Sequence, residues 1–135
     1  MQKVPTKHLG MWTYTATAAE ITAGKIIVPA VVGKQLLIYD AWFRGHGSTC
    51  SGPTTIALIE SASSGVAFSH VAADLSNGTW RYTTAGDGTV VTTLLKKWLT
   101  LSEGLKLVAA GGSANTAMTT MDVVVVGFYA GAVMV

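Results

Sequence analysis

The chain is 135 residues long and unusually poor in charge: 12% of its residues are Asp, Glu, Lys or Arg, against 50% hydrophobic, where a soluble domain usually carries about 25% charge. Seven acidic and nine basic residues leave a net charge of +2, and the basic residues are scattered apart from Lys96-Lys97, which excludes the clustered basic footprint of direct nucleic-acid binding. A single cysteine, Cys50, excludes an intrachain disulfide.

In chain order, Met1 to Gly10 carries Lys3, Lys7 and His8 with no apolar run behind them, unlike a secretory leader. Residues 1–12 are expected to form a short N-terminal arm, or the lead-in to a first strand, ahead of one domain over residues 13–135. From Met11 to Thr22, Thr13, Thr15 and Thr17 alternate with Trp12, Tyr14 and Ala16, the period of a half-exposed strand. Ala23-Gly24 turns the chain, and Lys25 to Pro29 reads as a short strand. A long strand follows over Lys34 to Arg44, with Leu37, Tyr39, Ala41 and Phe43 expected on the core face and Leu36, Ile38, Asp40, Trp42 and Arg44 on the other.

Gly45 to Pro53 is dense in turn formers and reads as a loop. Thr54 to Glu60 is a strand, and Ser61 to Gly88 is the least regular part, with a short strand at Val66 to His70, a helical turn at Ala72 to Leu75 and turn dipeptides at Asn77-Gly78 and Asp87-Gly88. Thr89 to Leu95 and Trp98 to Leu101 read as strand pieces, and Ser102-Glu103-Gly104 as a hairpin turn into a strand at Leu105 to Ala110, its Leu105, Leu107 and Ala109 on one face. Met118 to Tyr129 closes the chain. Its run Val123-Val124-Val125-Val126 suits a central strand or one covered by a second subunit, and the apolar stretch Val123 to Val135, thirteen residues, is short of the ~20 that span a membrane. Seven to nine short strands with no internal repeat predict an all-β fold, a single-domain β-sandwich of jelly-roll type, with an up-and-down barrel as the structural alternative.

No motif for catalysis stands out. G-x-S-x-G is missing, as is the G-x-x-x-x-G-K-[ST] order of a phosphate loop, and no Ser is tied locally to His46 or His70. His46 and Cys50 are too few for a metal site read from spacing. The expectation is a non-enzyme without cofactor, metal or membrane partner. Trp80, Arg81 and Tyr82 beside Asn77 form a candidate aromatic platform for a sugar ring, set against the plainer reading that Trp80 anchors a loop.

The segments AEITAGKIIVPAVVGKQLLIYDAWFR, TTIALIESASSGVAF, LSEGLKLVAAGGSAN and MDVVVVGFYAGAV resemble, in strand order and turn placement, the small jelly-roll capsid decoration (cement) proteins of tailed bacteriophages, over Ala19 to Val135. The resemblance implies a homotrimer on the outer capsid surface of a virion that stabilises the head by bridging major capsid subunits. Contact with the shell is then expected from Lys3, Pro5, Lys7, His8, Met11 and Trp12, and trimer contact from Trp42, Arg44 and Phe128. The alternatives are a tail fibre or baseplate part, or a carbohydrate-binding module whose partner is a host glycan held at Asn77, Trp80, Arg81 and Tyr82.

Overall fold

The computed structural model describes residues 10–75, 78, 80–82, 98–115 and 117–131. Within them the chain forms β1 (Gly10–Thr17), α1 (Ala18–Ala23), β2 (Lys25–Val28), β3 (Lys34–His46), β4 (Thr55–Glu60), β5 (Val66–Val71), a 3₁₀ turn (Ala72–Asp74), β6 (Trp80–Tyr82), β7 (Leu105–Ala110) and β8 (Thr120–Gly131). Two four-stranded sheets run in the orders β1-β8-β3-β6 and β2-β7-β4-β5, and every strand pair is antiparallel. Apart from the paired neighbours β4 and β5, successive strands alternate between the two sheets, which is jelly-roll connectivity. The up-and-down barrel, in which neighbours in sequence pair with each other, is excluded.

Alternation along each strand places one face on the core. Trp12, Tyr14 and Ala16 of β1 face inward beside Val125, Val123 and Met121 of β8, while Met11, Thr13 and Thr15 face out. The two sheets meet through Phe43 and Phe68, whose rings pack edge to face at 4.7 Å. Such a pair adds ~1 kcal/mol beyond the area it buries.

Three expectations are corrected. The strand over Met11 to Thr22 ends at Thr17, because Thr17-Ala18-Ala19-Glu20 is a capping box: the Thr17 hydroxyl accepts from the Glu20 amide at 3.2 Å and the Glu20 carboxylate accepts from the Thr17 amide at 3.1 Å. Two amide donors of the helix start are thereby satisfied, and α1 forms despite its short length. Along β3 the inward side chains are Leu36, Ile38, Ala41 and Phe43, not Leu37 and Tyr39. A bulge between Ile38 and Asp40 inserts Tyr39 and reverses the parity. The bulge lies opposite Gly127, where a Cβ would overlap the Leu37 carbonyl oxygen. Finally, Ser102-Glu103-Gly104 turns the chain without making a hairpin: Trp98 bridges Leu37 in the first sheet, whereas β7 pairs with β2 and β4 in the second. The strand piece at Thr89 to Leu95 lies outside the described residues.

Candidate functional site

The two ends of the sandwich differ in chemistry. At one end, β2 passes to β3 through Pro29–Gly33, β4 passes to β5 through residues 61–65, and residues 98–104 lead into β7. The 98–102 segment is sewn to the start of β3: Leu99 donates its amide to the Leu36 carbonyl at 2.9 Å, the Gln35 side-chain amide donates to the Leu99 carbonyl at 2.8 Å, and Ser102 donates its amide to the Lys34 carbonyl at 2.8 Å. The Ser102 hydroxyl accepts from the Gly33 amide at 2.9 Å.

Two buried carboxylates lock these loops. Glu103 is 6% exposed and accepts from the amides of Ala62 (2.8 Å) and Ser63 (3.0 Å). Glu60, 1% exposed, accepts from the Thr100 amide at 2.6 Å and the Ser63 hydroxyl at 3.2 Å. Burying a carboxylate is costly unless hydrogen bonds replace its water, and here the replacement donors are the backbone amides of the facing turns. The loops therefore turn their polar groups inward.

What they turn outward is apolar. Val32 at the tip of the 29–33 loop is 91% exposed, and Leu101 and Trp98 are exposed beside it. Trp98 packs edge-on to Phe128 of the outer sheet face at 6.3 Å. Tyr39 on the bulge, Met11 at the start of β1 and Val66 at the start of β5 are also exposed on this half of the molecule. Ile26 lies level with Val66 across β7 and β4 and is exposed there too, so that among the described residues Val71 is the large exposed apolar side chain at the other end.

The opposite end is polar and organised around Asp122 of β8. Cross-strand register sets Thr15 of β1 and Arg44 of β3 on either side of it, with Trp80 of β6 beyond Arg44. Asp122 Oδ1 accepts from the Thr15 hydroxyl at 2.7 Å. Its Oδ2 accepts from Arg44 Nε at 3.1 Å and Nη2 at 2.8 Å, and lies 2.7 Å from His46 Nε2. Partial burial pushes the carboxyl up, but the hydrogen bonds from His46, Thr15 and Arg44 outweigh it and hold Asp122 at about 2. The Arg44 guanidinium also lies 4.3 Å from the Trp80 ring centroid, a cation–π contact. A shallow cleft of about 370 Å³ opens above, lined by Thr13, Tyr14, Thr15, Trp80, Asp122, Val123 and Val124. Nearby, Glu20 accepts from the Tyr14 hydroxyl at 2.5 Å and pairs with Lys25 at 3.5 Å. The Tyr14 hydrogen bond is the main reason its carboxyl sits below the usual value.

The residues expected to matter are distributed as follows. Lys3, Pro5, Lys7, His8 and Asn77 lie outside the described residues. Met11 and Trp12 belong to β1, so the strand begins inside the span expected as an arm. Met11 faces out, but Trp12 packs against the core with its ring edge-on to Tyr129 at 5.7 Å, which leaves it little to offer a shell. Trp42 and Phe128 sit on the outer face of the first sheet. Arg44 is held within its own chain by Asp122 and Trp80. Trp80, Arg81 and Tyr82 are not in a loop but form β6, paired with Arg44, Phe43 and Trp42, so the platform expected there is an edge strand. The Asp122 cluster and the Glu60–Glu103 staple escaped the sequence reading, because both are assembled from positions 40 or more residues apart. Among the described residues no group of three or more His, Cys, Asp or Glu is placed to hold a metal ion, and no helix is long and apolar enough to cross a membrane.

No family model matches the chain, and no curated protein matches it. Among solved structures it is similar to a chain of the cyanophage Pam1 capsid asymmetric unit, at 15% identity over 95% of this chain and 88% of that chain, with a TM-score of 0.47.

Proposed function

We propose that this protein is a virion structural protein of a tailed phage, a decoration or cement protein that seats as a homotrimer on the outer capsid surface and bridges major capsid subunits. The observation that carries the reading is the apolar end: Val32, Leu101 and Trp98 face outward from its loops, of which residues 61–63 and 98–104 are held together by Glu60 and Glu103, and Tyr39, Met11 and Val66 are exposed on the strands that adjoin them. Exposed apolar groups gathered on one half of a low-charge protein mark a surface that meets other protein. Loops fixed beforehand lose little conformational freedom on docking, which is what a small clamp needs. The jelly-roll connectivity agrees with the family that the sequence resembles, and the reading requires no catalytic step.

Within this reading Met11, exposed at the start of β1, contributes to the shell contact expected from the N-terminal residues Lys3, Pro5, Lys7 and His8. Trimer contacts are expected from Trp42, Arg44 and Phe128 on the outer sheet face, Arg44 being already held by Asp122 and Trp80 of its own chain. A trimer that touches several capsomers turns modest contacts into an avid clamp, because they must break together.

The test is mass by light scattering followed by co-sedimentation with immature and expanded phage heads. The expected result is a trimer that pellets with expanded heads and raises their resistance to heat. A trimer that ignores heads overturns the decoration role, and a monomer that ignores them overturns the assembly role altogether.

A further inference from the structure

We propose that the cleft over Thr13, Thr15, Asp122, Val124 and Trp80 binds a neutral sugar ring, which would give a capsid protein a second role in adhesion to polysaccharide. The site is built from the residues of the polar end and is independent of the apolar end that carries the docking role. Its volume of about 370 Å³ falls within the range of small-molecule sites, at its lower end.

The lining selects the ligand class. Trp80 and Val124 present apolar surface, and an indole is the side chain best suited to lie against the C–H face of a pyranose. Polar groups with spare capacity stand beside it. Among the described residues Asp122 Oδ1 accepts from Thr15 alone, which leaves a lone pair for a ligand hydroxyl, and the Thr15 oxygen can itself accept. Thr13 lies two residues from Thr15 on the same outward face of β1, a separation of ~6.6 Å along the strand. Ligand groups on opposite sides of one ring can reach such a pair.

Charge argues against an ion. The Asp122 carboxylate is already matched by the Arg44 guanidinium, so this pair leaves no unbalanced charge that would favour a phosphate or an ammonium. A neutral polyhydroxylated ring, which asks for hydrogen bonds and an aromatic wall, is the class that fits. The Arg44 contact beneath Trp80 also fixes the indole before any ligand arrives, limiting the ordering cost.

The experiment is a titration of the isotope-labelled full chain with methyl glycosides of glucose, galactose, mannose and N-acetylglucosamine, followed by amide and indole NMR shifts. At least one sugar should give saturable shifts in the Trp80 indole N–H and the Thr13, Thr15 and Asp122 amides. Thr13→Val, which keeps a β-branched residue on an exposed strand face, should weaken that binding about tenfold, the worth of one good hydrogen bond. Trp80→Ala should abolish it. Absence of saturable shifts with every glycoside overturns the proposal, as does binding that Thr13→Val leaves unchanged. Neither outcome bears on whether the protein seats on capsids.

Discussion

The two ends of the sandwich use carboxylates in opposite ways. At the apolar end Glu60 and Glu103 point inward and accept the amides of facing turns, so the loops spend their polar groups on each other and show Val32, Leu101 and Trp98 to the outside. At the polar end Asp122 points out from the sheet and gathers Thr15, Arg44 and His46 around it, which leaves a surface that water and hydroxyl groups can satisfy. In a chain with so few charges, the direction of three carboxylates decides which surface favours protein and which favours solvent. The stability of each end should respond differently when its carboxylate is removed.

The largest effect is expected where the backbone is tightest. Gly104 stands between the 102–104 turn and the end of β2, and a Cβ there would overlap the Val28 carbonyl oxygen, with the Ala30 nitrogen only 2.6 Å away. Gly104→Ala should cost ~3 kcal/mol or more, read as a lowered denaturation midpoint, because backbone cannot step aside as a flexible side chain can. A cost below ~1 kcal/mol would mean the apolar end is loosely held, and the contrast drawn above would fail.

Next comes Glu103→Ala. It strands the amides of Ala62 and Ser63 in a buried turn, each such loss costing ~1–3 kcal/mol when water cannot replace the partner. A drop of ~2–3 kcal/mol in chemical denaturation is expected, together with weaker binding to capsids, since the segment that carries Trp98 and Leu101 loses its anchor to residues 61–63. An equal loss of stability with unimpaired capsid binding would separate the lock from the docking surface.

Asp122→Asn tests the other end and should cost less, ~1–2 kcal/mol near neutral pH, because Arg44 and His46 are about one-third exposed and solvent screens them. The pH dependence has a definite sign. The folded carboxyl sits at about 2 against an ordinary 3.8, so its contribution is present above pH 3.8 and lost as the pH falls towards 2. The difference between the native chain and Asp122→Asn should therefore close over that window. A difference that persists at pH 2 would show that shape, not charge, holds the cluster.

Much of this molecule is legible along the chain, and what is hidden has identifiable causes. Apolar patterning and turn signals locate β4, β5 and β7 to within a residue, and the start but not the end of β1. The bulge at Tyr39 breaks that logic in β3: a single inserted residue exchanges the two faces, and its cause, the close approach of Gly127 to Leu37, comes from a strand some ninety residues away. The capping box at Thr17 and Glu20 is written locally, yet the threonines of β1 carry their alternation straight into it and disguise the helix start. β6 is three residues between turn signals, too short for any period to show. The candidate sites are hidden more completely. Asp122, Arg44 and His46 meet through strand register, and Glu60, Glu103 and Thr100 through the meeting of loops, and neither relation has a sequence spacing to read.

The smallest effect on stability should accompany a large effect on assembly. Val32 is 91% exposed at a loop tip, so Val32→Asp removes almost no buried surface and should change the denaturation midpoint by under ~0.5 kcal/mol. On a docking surface the same change sets an unpaired charge against the partner, and desolvating it costs several kcal/mol unless a cation waits opposite. Light scattering and head co-sedimentation of Val32→Asp should then show loss of binding by a protein that melts like the native chain. A charge placed on the polar end as a control, Ser48→Asp on the exposed stretch after β3, should leave assembly intact. If both variants assemble normally, the exposed apolar groups serve no interface, and the end with the buried carboxylates is simply the drier of two solvent-facing surfaces. If both fail, the docking surface extends across the whole sheet, and the division into two ends describes the loops but not the function.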